Sequence, residues 1–181
     1  MSHYRHPGSG SSLLFVVALA CSLAAQSKPD EIKPVAGILP TGFGESVDRD
    51  VASVRAATNR FRVAENAIRA GYPAVDHCVA NPPAGGMGYH FQKDSLNDAK
   101  LEVEKPEILV YEKRVDGSFK LNGVEYIVPI DAWKNDEAPT IMGQKLKRAP
   151  KLGIWYLHVW IWEPNPSGIF ADWHPRVKCS G

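Results

Sequence analysis

Cysteine is scarce in this chain. It has three in 181 residues, Cys21, Cys78 and Cys179, and no two stand in a CxxC spacing. That excludes the paired-cysteine zinc ribbons and the thioredoxin-type redox motif. HExxH and GxSxG are also missing, which removes the helical zinc-protease signature and the nucleophile elbow of the α/β-hydrolases. Neither sign of charge dominates: 21 basic and 20 acidic residues leave a formal charge of +1. No global field draws the protein to nucleic acid or to an anionic membrane, and neither partner is expected. The apolar run Leu13–Ala20 falls well short of the ~20 residues that cross a bilayer as a helix. Gly85, Gly86 and Gly88 resemble a nucleotide loop only in composition, because no strand pattern precedes them and no helix pattern follows.

What is present begins with an export signal. A polar start carrying Arg5 leads into Leu13–Ala20 and then into the small residues around Ser22, Ala24 and Ala25. That order predicts a signal peptide over residues 1–25. A lipoprotein signal acylated at Cys21 is the alternative, although no leucine stands three places before that cysteine. Residues 26–45, rich in Pro, Gly and Lys, read as a flexible leader, and residues 46–181 as a single domain with no transmembrane segment. Either route removes Cys21 from the thiol pool, so the exported chain keeps Cys78 and Cys179. Two cysteines in an oxidising compartment predict one disulfide, clamping the C-terminal tail to the start of the domain.

Ser46 opens the one long helical pattern. Val47, Val51, Val54, Phe61, Ala64 and Ile68 recur at helical spacing, with Gly71 and Pro73 as the stop. Residues 76–88 read as loop and Tyr89–Phe91 as a short strand. Beyond a charged segment, Glu107–Lys113, Phe119–Leu121 and Val124–Ile130 read as strands, with Asp116-Gly117 and Asn122-Gly123 as hairpin turns. Residues 131–153 are polar and hold Pro139 and Pro150. They predict a long excursion, either a mobile surface loop or a lid. The expected fold is α+β: one long N-terminal helix packed on an antiparallel sheet of four to five strands, as a half-open, cystatin-like or small-barrel cup.

The densest stretch is Leu157–Cys179, LHVWIWEPNPSGIFADWHPRVKC, with three of the five tryptophans. Period-two alternation puts Tyr156, His158, Trp160 and Trp162 on one strand face and Trp155, Leu157, Val159 and Ile161 on the other. A strand apolar on both sides is a covered central strand or lines a pocket with one face. His158 is its polar interruption. His90 and Glu125 fall on two other predicted strands, and antiparallel neighbours bring the three together as two histidines and a carboxylate, a set that suits zinc, copper or iron. Met87 and His77 stand by as a soft and a further nitrogen ligand, which favours copper. A buried imidazole must satisfy both ring nitrogens, so the rings of His90 and His158 are expected to converge in one cavity lined by Glu125 or Glu112.

The runs AATNRFRVAENAIRAGY, GGMGYHF, PEILVYE, GVEYIVP and the ending above resemble a widespread family of exported bacterial proteins with no assigned activity. The resemblance covers about Ala56 to Cys179, and the ending is its most specific part. It implies an exported domain with the two late cysteines paired. An Asn commonly stands in that pattern where this chain has His174, which argues against a ligand or catalytic role for His174. Two functional expectations follow. One is a periplasmic binding or envelope-interaction module, using Tyr156, His158 and Trp160 as a cup for a small ligand or envelope component. The other is a metal-dependent enzyme, hydrolytic or oxidative, built on His90, His158 and Glu125.

Overall fold

A computed structural model describes Met1, His3 and residues 40–179. The expected signal peptide, apart from Met1 and His3, lies outside the described residues, as do Cys21 and most of the expected leader. Among the described residues, eight strands and two short helices follow one another. The helices are α1 (Glu45–Thr58) and α2 (Ala64–Arg69); the strands are β1 (Cys78–Asn81), β2 (Gly85–Gln92), β3 (Ile108–Lys113), β4 (Phe119–Pro129), β5 (Thr140–Ile141), β6 (Gln144–Lys145), β7 (Lys147–Ala149) and β8 (Ile154–Val159). Six strands form one antiparallel sheet in the order β1-β2-β3-β4-β8-β7, while β5 and β6 pair separately. The architecture is α+β with a larger sheet than the sequence predicts.

The long helix is not one helix. α1 ends at Thr58, a 3-10 turn spans Asn59–Arg62, and Val63 adopts an extended φ/ψ of −96°/106° before α2 begins. The break has a local cause and a tertiary return. Thr58 turns its hydroxyl back onto the carbonyl of Val54 at 2.6 Å, a bond that competes with helix continuation. The Phe61 carbonyl, left without a helical partner, accepts the buried Tyr111 hydroxyl at 2.7 Å. Val47, Val51, Val54, Phe61 and Ala64 are buried as the periodicity requires, whereas Ile68 lies beyond the break and is exposed. Gly71 is the stop: with φ 92° it lets its own N–H reach Ile68 and that of Tyr72 reach Ala67, closing the last carbonyls.

The apolar stripe of α1 packs on one sheet face in the main core, with Phe91, Leu109, Tyr111, Val124, Tyr126, Leu157 and Val159. Strand parity puts the alternate residues on the opposite face, where Ile108, Val110 and Ile127 form a second, smaller cluster against Ile154 and Tyr156.

Three further expectations need correction. Asn122-Gly123 is not a turn, since β4 runs straight through it. Val110 pairs with Gly123 and Tyr111 with Leu121, so Asn122 is the extra residue of a β-bulge. A Cβ on Gly123 would lie 2.6 Å from the Val159 carbonyl, so only glycine lets β8 approach so closely. The Asn122 carbonyl meanwhile holds the N–H groups of Trp162 and Glu163 at 2.9 and 3.1 Å. The segment 76–88 is not simply loop, because it holds β1 and the start of β2. The excursion 131–153 is not simply loop: it contains β5, β6 and the edge strand β7, and it buries Ile141, Met142 and Leu146 in the main core.

Cys78 and Cys179 are joined, with Cα atoms 5.5 Å apart, across a separation of 101 residues. Closing a loop of that length stabilises by about 4 kcal/mol in the chain-entropy picture. The tail is fastened a second time where Gly86 and His174 exchange backbone hydrogen bonds of 3.2 and 2.9 Å. A Cβ on Gly85 would sit 2.1 Å from the His174 carbonyl, so this fastening requires glycine on the partner strand. Among the described residues no helix is long and apolar enough to cross a membrane. The disulfide and that observation are compatible with export.

Candidate functional site

The antiparallel register builds the site on the face away from α1. Glu125 on β4 stands directly opposite His158 on β8. His90 on β2 pairs with Val110 on β3, which pairs with Gly123 on β4. Val110 stands between His90 and the Glu125–His158 pair on the same face, and the glycine opposite it adds no further side chain to that row. The expected convergence is found: His90 Nε2 lies 3.2 Å from Glu125 Oε2, and the rings of His90 and His158 are 6.2 Å apart, centroid to centroid. Glu112 does not join them. Its carboxylate instead accepts from the bulge residue Asn122 at 3.3 Å.

Burial sets the chemistry of the pair. His158 is fully buried and Glu125 is 6% exposed, while the His90 side chain keeps 17% exposure at the rim. Burial, followed by the charges of His90 and Lys147, holds the His158 imidazole well below its usual range. His158 is therefore neutral near pH 7, with one N–H and one bare nitrogen. Neither has a hydrogen-bond partner, and His90 Nδ1 has none either. An unmet buried polar atom costs about 1–3 kcal/mol, so three imidazole nitrogens without partners within one small region call for an explanation.

The walls are aromatic. Trp160 packs against His158 at 4.5 Å and edge-on to His174 at 4.9 Å, and its indole N–H is committed to the Ala171 carbonyl at 2.6 Å. Tyr156, two residues before His158 on the same face, donates to Asp172 at 3.3 Å; burial first, then the Asp172 charge, pushes its phenol up to about 12. Asp172 also receives Lys147, which stands opposite Tyr156 on β7. Tyr156, His158 and Trp160 thus share a surface, closed on one side by the C-terminal segment. Lys147 and Asp172 escape sequence reasoning. Lys147 sits in a stretch whose composition signals only loop, and Asp172 is a single carboxylate inside an aromatic patch.

His174 and His77 separate cleanly. His174 is fully buried but satisfied: Nε2 donates to the Pro164 carbonyl at 3.1 Å, and Nδ1 accepts the Arg176 N–H at 3.1 Å. It orders the tail. His77 is exposed, and Met87 is buried on β2, beyond Gly88 and its positive φ of 118°. Among the described residues no group of three or more His, Cys, Asp or Glu side chains is arranged to hold a metal ion. His90, His158 and Glu125 come together, therefore, but not as three ligands around one point. An open cleft of about 620 Å³ is lined by Ala74, Val75, Asp76, Tyr89, Lys113 and Phe119, and none of His90, Glu125, Tyr156, His158 and Trp160 lines it.

Comparison of the chain with protein-family models, with curated proteins and with solved structures finds no match.

Proposed function

We propose that this protein is an exported binding module that holds a small ligand in the cup of His90, Glu125, His158, Tyr156 and Trp160. One observation carries the reading: His158 is fully buried, neutral, and without a hydrogen-bond partner for either ring nitrogen. His174 provides the internal comparison, being equally buried in the same domain with both nitrogens paired. A residue that only fills space would be satisfied in that way, or replaced by an apolar side chain, since buried polar groups are paired almost without exception. A ligand that meets the imidazole removes the penalty.

The second reading, a metal-dependent hydrolase or oxidase on His90, His158 and Glu125, draws support from the same free nitrogens. Turnover would need a coordination position that substrate can reach. With His158 at 0% and Glu125 at 6% exposure, only the rim at His90 offers access, which favours holding a ligand over turning one over.

The test is the native mass of the mature chain, purified without an affinity tag from cells that export it. The expected result is a mass above that of the bare disulfide-bonded polypeptide, with the excess lost in His158→Phe. A mass equal to the polypeptide alone, or an excess that persists in that variant, would sink the reading.

A further inference from the structure

We propose that the open cleft lined by Val75, Asp76, Tyr89, Lys113 and Phe119 is a further binding site, and that it takes an amino acid with an apolar side chain: Asp76 meets the ligand's ammonium, Lys113 its carboxylate, and the two rings its apolar group. The inference does not rest on the cup.

Paired strands place the aromatic part of the lining. Tyr89 on β2 stands opposite Cys78 on β1 and Tyr111 on β3, and Lys113 stands opposite Phe119 on β4. Tyr111 and Lys113 are two apart on β3, so alternation puts Lys113 on the face of Tyr111 and Phe119, which is the face of the main core. Tyr89 and Phe119 meet edge-on at 5.4 Å, and Phe119 packs in turn on Phe91 at 5.1 Å. Cys78, beside Tyr89, is anchored by the disulfide. The rings are therefore held in place before any ligand arrives. Ala74, Val75 and Asp76 come from the connection between α2 and β1.

The charges then select the ligand. A lysine on a core face, with Tyr111 and Phe119 as its neighbours, is out of place unless an opening keeps its ammonium in water. Lys113 and Asp76 are both exposed, and among the described residues neither takes part in an ion pair, with the other or with any third group. An uncommitted carboxylate and an uncommitted ammonium thus line the same cleft as two aromatic rings. Its volume of about 620 Å³ lies within the ~300–1,000 Å³ usual for small-molecule sites. A ligand with an apolar body displaces water from both charged groups as it enters, and each then needs an opposite charge. A simple cation would leave Lys113 unmet and a simple anion Asp76, whereas a zwitterion meets both and brings no net charge. An amino acid carries its two charges on one carbon, next to the apolar group that the rings accept.

The experiment titrates the mature disulfide-bonded chain with L-phenylalanine while side-chain NMR signals are followed. Phenethylamine, which lacks the carboxylate, and hydrocinnamate, which lacks the ammonium, are titrated in parallel. The expected result is one saturable site whose shifts centre on Tyr89, Lys113 and Phe119, with each singly charged analogue bound about fivefold more weakly than the amino acid. Lys113→Met should lower L-phenylalanine to the affinity of phenethylamine, and Asp76→Asn to that of hydrocinnamate. Both residues are exposed, so neither change threatens the fold. No saturable shift at millimolar ligand, an analogue that binds as tightly as the amino acid, shifts centred on His158 and Trp160, or an unchanged preference in either variant would each overturn the proposal. The native-mass test of the cup turns on His158 and is unaffected by any of these results.

Discussion

The two faces of the sheet treat their buried polar atoms in opposite ways. On the α1 side, Tyr72, Tyr111 and Tyr126 each give a hydroxyl to a backbone carbonyl, of Pro106, Phe61 and Val103, at 2.6–2.8 Å. The Tyr111 and Tyr126 bonds tie a helix end and a loop to the sheet, and the Tyr72 bond joins two loops. Glu107 follows the same rule from just before β3: its carboxyl accepts the Ile127 N–H at 3.1 Å, beyond the last β3–β4 pair of Ile108 with Glu125. On the far side, His90 and His158 leave three ring nitrogens without partners. One face is closed as a core should be closed; the other keeps donors and acceptors in reserve at a cost in stability. Proteins tolerate that cost mainly where a site needs it.

The comparison can be broken most forcefully on the α1 side. Phe91 is fully buried and packs on Tyr111 at 4.5 Å and on Phe119 at 5.1 Å, so Phe91→Ala should lower unfolding free energy by about 3–5 kcal/mol in denaturant titration. A loss below 1 kcal/mol would mean that this face is not the main core. Glu107 should give the next effect, through pH. Burial, its largest cause, raises the carboxyl to about 8, so between roughly pH 4.5 and 8 the folded state keeps a proton that the unfolded chain releases. The unfolded state then binds fewer protons, and stability falls as pH rises through that window, by a few kcal/mol at most. Thermal melts from pH 5 to 9 should show the decline, and Glu107→Gln should flatten it; an unchanged slope in that variant would remove Glu107 as the cause.

The smallest effects are the most discriminating, because they differ in sign. Tyr111→Phe strips the Phe61 carbonyl of its partner and should cost about 1 kcal/mol. His158→Phe keeps an aromatic ring against Trp160 while removing two unmet nitrogens, and should leave the ligand-free protein as stable or more stable by about 1 kcal/mol. Chemical denaturation of both variants measures the contrast. If His158→Phe destabilises as Tyr111→Phe does, its nitrogens have partners in solution and the two faces are alike.

Local patterns were enough to place much of this molecule. The alternation in β4 separates Glu125 and Ile127 from Val124, Tyr126 and Val128, the stripe of α1 identifies the covered face, and the two cysteines expected to remain after export leave one pairing. The same reading brings His90, His158 and Glu125 to one place, because parity and antiparallel neighbours are the only ingredients required. Periodicity could not reveal the break at Thr58–Val63, since the apolar spacing continues through it while a side-chain bond and the Tyr111 hydroxyl end the helix. Turn chemistry misread Asn122-Gly123 for a similar reason: glycine is demanded there by the approach of Val159 from a strand some 35 residues later. The edge strand β7 and the partners Lys147 and Asp172 were likewise invisible, because polar loop composition does not distinguish a free excursion from one that returns to pair. Above all, which histidine is satisfied and which is left open was decided in three dimensions. His158 and His174 have similar aromatic surroundings in the sequence, but the tail folds back to give His174 a carbonyl and an N–H, and no backbone group reaches either nitrogen of His158.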